Sequence, residues 1–593
     1  FKRSQRAQSV RDDYNTYSRK DYNYLPDTNQ GAYTNSSLSL VTFDLSSIYN
    51  SSRFTDTNDL VAVIPIVMVA VIQTNAAVIA PTPGMVNLMT LKSNTVHLIH
   101  QCDVQINGKT CNDLQPFTNV LKNFEMMSEM SPSDLSIYGS TYGLGSELDN
   151  PRSIQFVPVS GNGRSGTGLT NNVPFGRLLP NATITPSSDV PLTASAAQGD
   201  FTSNMAIASR LNNFVDTTGV GAGQNIFGTL LLPGISDAGK CRAEFKPTYE
   251  VVNGTHAVWY DYAIIRLGSI LESLRAIGLT RRFDAVLRMY INTGALSIAV
   301  GGAHSAAINY GPALQANSTF TNTCPFTINY FPALATDNRN ILPATTTQIT
   351  AGVFVARVPS TNVTAGAAVV SLNPTGGGGG GITHPLNSCR IYYSSIEMGD
   401  PQRALSYIES NRAKKVVYRN FVSNIINNVE GSSTYSSLIQ SGLVNPVAIV
   451  VIPFINPSSL LTAGGHVPQF GSPYDTSFSS PVSLTNFQVT VGGVNQLNTT
   501  LQYVFENFLQ HVSLYEQIAG SDFGVSCGLF DKKFWELNRH YVCLIRSKFS
   551  DMDTPRNINI SFFNNSGVKI DVMVFSIYLD SLIIDVDTGR ITR

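Results

Sequence analysis

The chain repeats one order of predicted elements, and this repetition restricts the possible folds more than any other feature of the sequence. The first copy begins with the apolar run LVAVIPIVMVAVI (60–72) and continues with an alternating stretch (96–110) that turns at Asn107-Gly108. It ends with PFTNVLKNFEMMSEM (116–130). An Asn-Gly pair predicts a tight hairpin because both of its residues readily adopt positive φ. The last stretch has apolar residues at helical spacing, which predicts a helix with one core-facing side.

The same order returns near the other end of the chain. It comprises VNPVAIVVIPFI (444–455), FQVTV (487–491) followed by Gly492-Gly493, and LQYVFENFLQHVSLYEQI (501–518). Corresponding landmarks in the three pairs of segments lie 386, 385 and 384 positions apart. Because self-similarity at a fixed spacing decides the architecture of a chain, we predict a duplicated, β-rich fold.

Two further pairs of segments close the predicted copies. YAIIR (262–266) resembles YVCLIR (541–546), and LRMYINTGALSIAV (287–300) resembles NISFFNNSGVKIDVMVFSI (559–577). The helix and the first of these strands are 145 residues apart in the first copy and 40 in the second. The first copy is therefore predicted to carry a long inserted loop.

The chain has few charges for its length. Asp, Glu, Lys and Arg make up 13% of 593 residues, which is about half the usual share for a soluble domain. A surface with few charges favours association with other molecules. The net charge of −1 gives no global electrostatic argument for nucleic-acid binding. Composition therefore favours a subunit of an assembly over a free monomer.

The amino end is the exception to this charge balance. Lys2, Arg3, Arg6 and Arg11 precede the first acid, Asp12. We interpret this stretch as part of a solvated arm, with contact to a polyanion as the alternative. It has no apolar core segment, so no signal peptide is expected.

The motifs predict no catalytic, cofactor-binding or metal-binding residue. GNGRSGTG (161–168) lacks the Gly-Lys-Ser/Thr ending of a phosphate loop. DVDTG (585–589) lacks the long loop of an EF-hand and predicts a turn. Neither the cysteines nor the histidines have zinc-ligand spacing. These residues are Cys102, Cys111, Cys241, Cys324, Cys389, Cys527 and Cys543, with His97, His100, His256, His304, His384, His466, His511 and His540.

A small basic run leads into a predicted strand of the second copy. It consists of Arg412, Lys414, Lys415 and Arg419. Charges on a strand edge discourage stray pairing with other strands, so a solvated edge is one interpretation. Contact with an acidic neighbour is the other.

The duplicated order resembles the double jelly-roll major capsid proteins of icosahedral viruses. The resemblance depends on IPIVMVAVI, CDVQINGK and PFTNVLKNF in the first copy and on VAIVVIPFI, FQVTVGG and LQYVFENF in the second. It extends to the closing segments FDKKFWELNRHYVCLIRSK and IDVMVFSIYLDSLIIDV. It implies a mainly β fold of two tandem eight-stranded jelly-roll β-sandwiches with long inserted loops and short helices.

The resemblance also implies a role and a set of partners. It implies a structural subunit, not an enzyme, that forms pseudo-hexameric trimers and then an icosahedral shell in the virion. The expected partners are copies of itself, minor capsid or penton proteins, and, through weak contact of the basic arm, nucleic acid or an inner layer. No cofactor and no small-molecule substrate is expected.

We divide the chain accordingly into an extended N-terminal arm (1–39), a first jelly roll (40–387) and a second jelly roll (388–593). Long loop insertions are predicted in the first roll at about 140–246 and 303–384. A β-sandwich that binds or hydrolyses carbohydrate is the alternative function. A single-roll or unrelated β-rich coat protein, with an illusory duplication, is a third possibility.

Overall fold

The structure is a computed structural model. It describes residues 17–144 except 36, 50–52, 75–76, 82–84, 87 and 113, and then 154–158, 182–186, 215–216, 247–299 and 323–328. It continues with 346–374 except 361 and 366–367, then 381–456, 479, 482–497, 502–516, 527–545, 554–566 and 569–592. Among these residues no helix is both long and apolar enough to cross a membrane.

Strands dominate the described chain. Up to residue 398 they are β1 (Tyr17–Pro26), β2 (Leu38–Asp44), β3 (Phe54–Asp56), β4 (Val61–Thr74), β5 (Ala77–Ile79), β6 (Met89–Leu91), β7 (Ile99–Ile106), β8 (Lys109–Asn112), β9 (Ile154–Pro158), β10 (Ala182–Pro186), β11 (Val215–Asp216), β12 (Thr248–Val252), β13 (His256–Arg266), β14 (Leu279–Arg281), β15 (Ala285–Asn292), β16 (Gly294–Ala299), β17 (Phe326–Ile328), β18 (Gln348–Val355), β19 (Asn362–Ala365), β20 (Ala368–Ser371) and β21 (Arg390–Met398). Beyond it they are β22 (Lys414–Val429), β23 (Thr434–Leu443), β24 (Pro446–Ile455), β25 (Leu484–Val491), β26 (Val494–Asn495), β27 (Tyr541–Leu544), β28 (Arg556–Asn564), β29 (Ile570–Ile584) and β30 (Ile591–Thr592).

Short helices connect some of these strands. They are α1 (Ser46–Tyr49), α2 (Thr118–Glu129), α3 (Pro132–Tyr142), α4 (Leu267–Ile270), α5 (Glu272–Ile277), α6 (Pro401–Ser410), α7 (Phe505–Glu516) and α8 (Lys532–Leu537), with 3₁₀ turns at Thr57–Asp59 and Thr95–Leu98.

The second half of the chain forms a jelly roll. Eight consecutive strands, β22 to β29, make two sheets with the orders β22–β29–β24–β27 and β23–β28–β25–β26. Counted along the chain, these orders are 1-8-3-6 and 2-7-4-5. Two four-stranded sheets that share eight strands in this way are a jelly roll. In β28 the buried residues alternate with more exposed ones, as expected for a strand with one face in the core.

The first half repeats the same strand permutation. Its sheets contain the orders β1–β21–β4–β13 and β2–β15–β7–β8. Counted along the chain, these eight strands again have the orders 1-8-3-6 and 2-7-4-5. The predicted fold class of two tandem eight-stranded jelly rolls is therefore confirmed by the strand order of the chain itself.

The first jelly roll carries additional strands around its longest strand, β4. Near its start β4 pairs with β21, and from Ile66 to Gln73 it pairs with β18 on the same side. Two strands thus share the place that β29 fills alone in the second roll. Beyond β18 lies β16. The match of 287–300 to 559–577 is therefore correct for β15 and wrong for the strand after it, because β16 does not pair with β4 in the way β29 pairs with β24.

The apolar run that opened the first copy is buried on both faces of β4. Ile64, Ile66 and Met68 point into the core between the two sheets. Val67 and Val69 point the other way, into a separate cluster that includes residues of the β19–β20 hairpin and the segments beside it. A strand that is covered on both sides has no polar face, which explains the unbroken run of apolar residues.

Two strands of the first roll lie outside the range 40–387 that we assigned to it. β1 falls within the predicted arm, yet it pairs with β21 along nearly its whole length. β21 falls within the predicted second roll, yet it pairs with β1 and β4. The polar, Tyr-rich composition of 17–26 hides a strand, because β1 is an edge strand with little apolar surface to bury. The remaining boundaries stay a prediction.

Candidate functional site: the joint between the two jelly rolls

The described residues that link the two rolls form one continuous contact, here called the joint. It consists of α2, α5, the β7–β8 hairpin and residues 279–282 on the first roll, and of β22, residues 527–540, α7 and residues 582–591 on the second. Hydrophobic residues of each roll pack into the core of the other. The joint therefore holds the two rolls in one fixed arrangement.

Helix α2 belongs to the first roll by sequence but packs into the core of the second. Its apolar stripe, Phe117, Val120, Leu121, Phe124 and Met127, was predicted to face a core, and all five residues lie in the cluster built by the second roll. Phe124 shows this most clearly. Its ring centroid lies 6.4 Å from that of Phe508, 5.7 Å from that of Phe530 and 5.1 Å from that of His540.

The opposite face of α2 is held by the first roll through polar contacts. Asn119 Nδ2 donates to the backbone oxygen of His97 at 3.1 Å. Asn123 Nδ2 lies 3.0 Å from His97 Nδ1. Buried amides cost free energy unless they are hydrogen-bonded, so these contacts fix the rotation of the helix about its axis. The apolar stripe is thereby directed at the second roll.

The first strand of the second roll supplies the other half of the joint. Tyr418 on β22 is only 2% exposed, and its hydroxyl donates to the backbone oxygen of Cys111 at 2.7 Å. Val416 on the same strand, with Leu582 and Ile584 on β29, extends the first roll's core. The edge of the second roll is thus covered by the first roll.

Charged residues of the basic run complete these contacts. Arg419 Nε lies 2.9 Å from Glu272 Oε2 of α5, and the Arg419 backbone N–H also donates to Oε2 at 2.9 Å. Lys414 Nζ donates to the backbone oxygen of Ile277 at 2.6 Å. Arg412 and Lys415 are exposed. Of the two interpretations of the basic run, contact with an acidic neighbour is the correct one for Arg419.

Two glycines allow the backbones of the two rolls to approach closely. A Cβ on Gly528 would overlap the backbone oxygens of Met127 and Ser128 at the end of α2. A Cβ on Gly589 would overlap the backbone oxygen of Arg282. Both glycines also have positive φ, which other residues rarely adopt. The second of them is the glycine of DVDTG, which forms a turn at the joint.

Burial keeps the histidines of this region neutral. Desolvation lowers the pKa of His97 to about 3, with the charge of Lys92 as a second cause, and lowers that of His100 to about 4. It also lowers the pKa of His540 to about 4. A buried imidazolium would lose its hydration, so the charged form is disfavoured.

The described residues do not assemble a reactive or metal-binding centre. Six of the seven cysteines are described, and all six are free thiols in buried positions. Desolvation raises the pKa of Cys102 well above its ordinary value and that of Cys527 to about 11. Within the described ranges no group of three His, Cys, Asp or Glu side chains is placed to hold a metal ion. The prediction of no catalytic or metal site stays a prediction.

Several residues singled out in the sequence lie outside the described ranges. They are Lys2, Arg3, Arg6, Arg11, Asp12, Cys241, His304, His466 and the stretch 161–168.

Sequence reasoning missed the partners of the joint. Glu272 and the backbone oxygen of Cys111 had no signal in the sequence, because their partners on the other roll lie 147 and 307 positions away. Tyr418 lay beside the basic run, but nothing marked it as buried. Contacts of this kind become visible only when the rolls are placed side by side.

Comparison with known proteins finds similarity to solved structures only. No protein-family model matches the chain, and no curated protein matches it. Among solved structures it is similar to a chain of the Sputnik virophage (TM-score 0.39, 10% identity, 97% of this chain and 88% of that chain). It is also similar to the mavirus major capsid protein (0.36, 9%, 96% and 89%) and to that of Sulfolobus Turreted Icosahedral Virus (0.29, 9%, 95% and 97%). TM-scores this low carry no argument about function.

Proposed function

We propose that this protein is the major capsid protein of an icosahedral virus, a structural subunit of the virion without enzymatic activity. In this proposal three copies form a trimer with a pseudo-hexagonal outline, and trimers tile the shell. The observation that supports it is the joint, which holds two jelly rolls of one strand order in a fixed arrangement within one chain. Three such chains contain six equivalent rolls, which suits a hexagonal lattice.

The composition and the surface of the chain support assembly. Only 13% of its residues are charged. Exposed large apolar or aromatic side chains occur on both rolls, among them Tyr22, Ile137, Val494 and Leu514. Surfaces that meet other subunits are depleted of charge and enriched in aromatic residues in their centres. The proposed partners are copies of the same chain, then minor capsid or penton proteins. Contact of the basic amino end with nucleic acid or an inner layer is part of the proposal.

The alternative of a carbohydrate-binding or carbohydrate-hydrolysing sandwich has less support. Both tryptophans are buried: Trp259 Nε1 donates to the Val86 backbone oxygen, and Trp535 Nε1 donates to that of His540, each at 3.0 Å. Neither ring is therefore available at the surface to stack on a sugar. A glycan array separates the alternatives, because it should show no binding by a capsid subunit of this kind.

The assembly state tests the proposal directly. Native mass spectrometry of the purified protein should show a species of three times the chain mass of 64.1 kDa. This species should persist on dilution, because trimer interfaces built from apolar and aromatic residues bind tightly. A stable monomer at high concentration would contradict the proposal.

A further inference from the structure

Two surfaces that correspond by the repeat to the two sides of the joint, β1 and the β25–β26 hairpin, do not take part in the joint. The first strand of the second roll, β22, is covered by the first roll. The first strand of the first roll, β1, pairs only with β21 among the described strands. Conversely, the β7–β8 hairpin of the first roll contacts the second, whereas the turn of its counterpart, residues 492–495, is exposed among the described residues. The joint is heterologous, so each roll has one used and one unused side.

Strand pairing identifies the counterpart of the buried Tyr418. Ala62 on β4 and Ala448 on β24 correspond at the 386-residue offset of the repeat. They lie opposite Ile391 and Ile577, respectively. Three residues further along those strands, Ser394 pairs with Tyr22 and Asp580 pairs with Tyr418.

Tyr22 and Tyr418 therefore hold the same place in the two rolls, and the residue type is the same. Their surroundings differ sharply. Tyr418 is 2% exposed and donates to the first roll, whereas Tyr22 is 64% exposed. At Tyr22 only the Lys20 ammonium, 5.4 Å from the ring centroid, lies over the ring among the described residues. An aromatic side chain that is buried at one copy of a repeated site and largely exposed at the other marks a surface that a further roll could cover.

The other half of the joint has a counterpart too. In the first roll Ile106 pairs with Lys109 across the Asn107-Gly108 turn, and in the second roll Val491 pairs with Val494 across Gly492-Gly493. The Asn107 side chain donates to the backbone oxygen of Gly589 on the second roll. The corresponding second-roll hairpin is solvent-exposed, and Val494 is 64% exposed. Asn107, which makes the joint contact, corresponds to Gly492, and residues 492–495 are all exposed.

We propose that Tyr22 of one copy packs beside the Gly492–Asn495 hairpin of a second copy of this chain, at Gln496, the counterpart of Cys111. This contact would repeat between chains the joint seen within the chain. The proposal rests on the trimer of the proposed function and names the surface that forms it. A repeated heterologous contact closes into a ring when its rotation completes a full turn, and otherwise forms an open filament. The proposal takes the closed case. Three joints within chains and three between chains then alternate around the trimer.

Cross-linking tests this contact. In a Tyr22→Cys/Val494→Cys variant, a short bismaleimide should link neighbouring copies, and denaturing electrophoresis should show covalent dimers and closed covalent trimers. The described native cysteines are buried, and the parent protein and each single variant give the background. The matched control is Tyr22→Cys/Leu438→Cys. Leu438 is exposed on β23, at the opposite edge of the same sheet from β26, so this pair should give no covalent trimer.

A second variant measures the strength of the contact. Tyr22→Ser should raise the dissociation constant of the trimer at least about tenfold, since central aromatic residues contribute much of the binding at interfaces. It should leave monomer unfolding unchanged. Tyr138→Ser, which removes another exposed tyrosine on α3, should leave the dissociation constant unchanged.

The outcomes separate the contact from the proposed function. A trimer in native mass spectrometry without the Tyr22–Val494 link, or a Tyr22→Ser trimer of unchanged strength, overturns this contact and leaves the proposed function standing. A protein that stays monomeric overturns both. Covalent trimers with the Tyr22–Val494 pair, and none with the Tyr22–Leu438 control pair, support both proposals.

Discussion

At the residue scale, His540 couples protonation to the packing of the joint. Its ring stacks on Phe124 of α2 at 5.1 Å and meets Phe530 edge-on at 5.4 Å. Its Nδ1 lies 2.8 Å from the backbone oxygen of Asn538 and donates to it in the neutral tautomer. The side chain of the neighbouring residue, Arg539, lies over the ring of Trp535. Protonation of His540 would place a charge where water cannot hydrate it, and this desolvation lowers its pKa to about 4.

This pKa predicts acid sensitivity of the joint. The folded-state pKa of His540 lies below its unfolded value of about 6.5, so the unfolded state binds the proton more readily. Its contribution to stability is fully present above about pH 6.5 and is lost as the pH falls towards 4. The loss for this residue amounts to at most about 3 kcal/mol.

Urea unfolding of the parent protein and of His540→Gln at a series of pH values checks this prediction. The variant should be less stable than the parent at neutral pH because it loses the stacking on Phe124. Its unfolding free energy should also depend less steeply on pH between about 6.5 and 4. His97 and His100 still titrate in the variant, so part of the pH dependence remains. If the unfolding free energies of the two proteins depended on pH equally steeply, His540 would not titrate with unfolding.

At the element scale, the C-terminal end of α2 is hydrogen-bonded to the second roll, a contact here called the clasp. The last carbonyls of a helix lack partners within the helix. The Met127 backbone oxygen accepts a hydrogen bond from the Leu529 N–H at 2.9 Å. Gly528, which has φ of +65°, lets the backbone of residues 528–529 come close enough to α2 for this hydrogen bond. The clasp therefore depends on the absence of a side chain at one position.

Gly528→Ala should loosen this clasp. Gly442→Ala is the matched control, because Gly442 has a similar φ of +70° but open space where a Cβ would lie. The control should cost about 1 kcal/mol of unfolding free energy through backbone strain alone. Gly528→Ala should cost about 1 to 3 kcal/mol more, since a backbone must shift to make room. Chemical denaturation measures both. Equal losses in the two variants would mean that the close approach contributes nothing.

The sequence was informative for elements with a strong local pattern. The long apolar run, the Asn107-Gly108 hairpin and the amphipathic stripe of α2 were predicted and correspond to β4, the β7–β8 turn and α2. Their counterparts near the other end correspond to β24, the β25–β26 turn and α7. Each of these patterns is set by residues a few positions apart, which is why it can be recognised without the fold.

Elements whose partners are distant were not predictable in the same way. β1 has exposed Tyr22 and Tyr24 and little apolar surface, so its composition resembles that of an arm. β21 looks like the start of the second roll in sequence, yet its partners are β1 and β4. The stripe of α2 was correctly predicted to face a core, but nothing local shows that the core belongs to the other roll.

At the scale of the whole molecule, the chain is one repeated fold held at one angle by one joint. Both rolls have the strand orders 1-8-3-6 and 2-7-4-5. The joint combines the buried apolar stripe of α2, the hydroxyl of Tyr418 and the Arg419–Glu272 ion pair. In the proposed trimer, further copies of the chain cover the sides of the rolls that the joint leaves exposed.

Electron microscopy of the purified protein tests this claim most directly. Class averages viewed down the symmetry axis should show a ring of six similar lobes with threefold symmetry, because three chains contribute two equivalent rolls each. The six lobes should be nearly evenly spaced if the contact between chains repeats the joint within the chain. Isolated two-lobed particles at the same concentration would contradict the account.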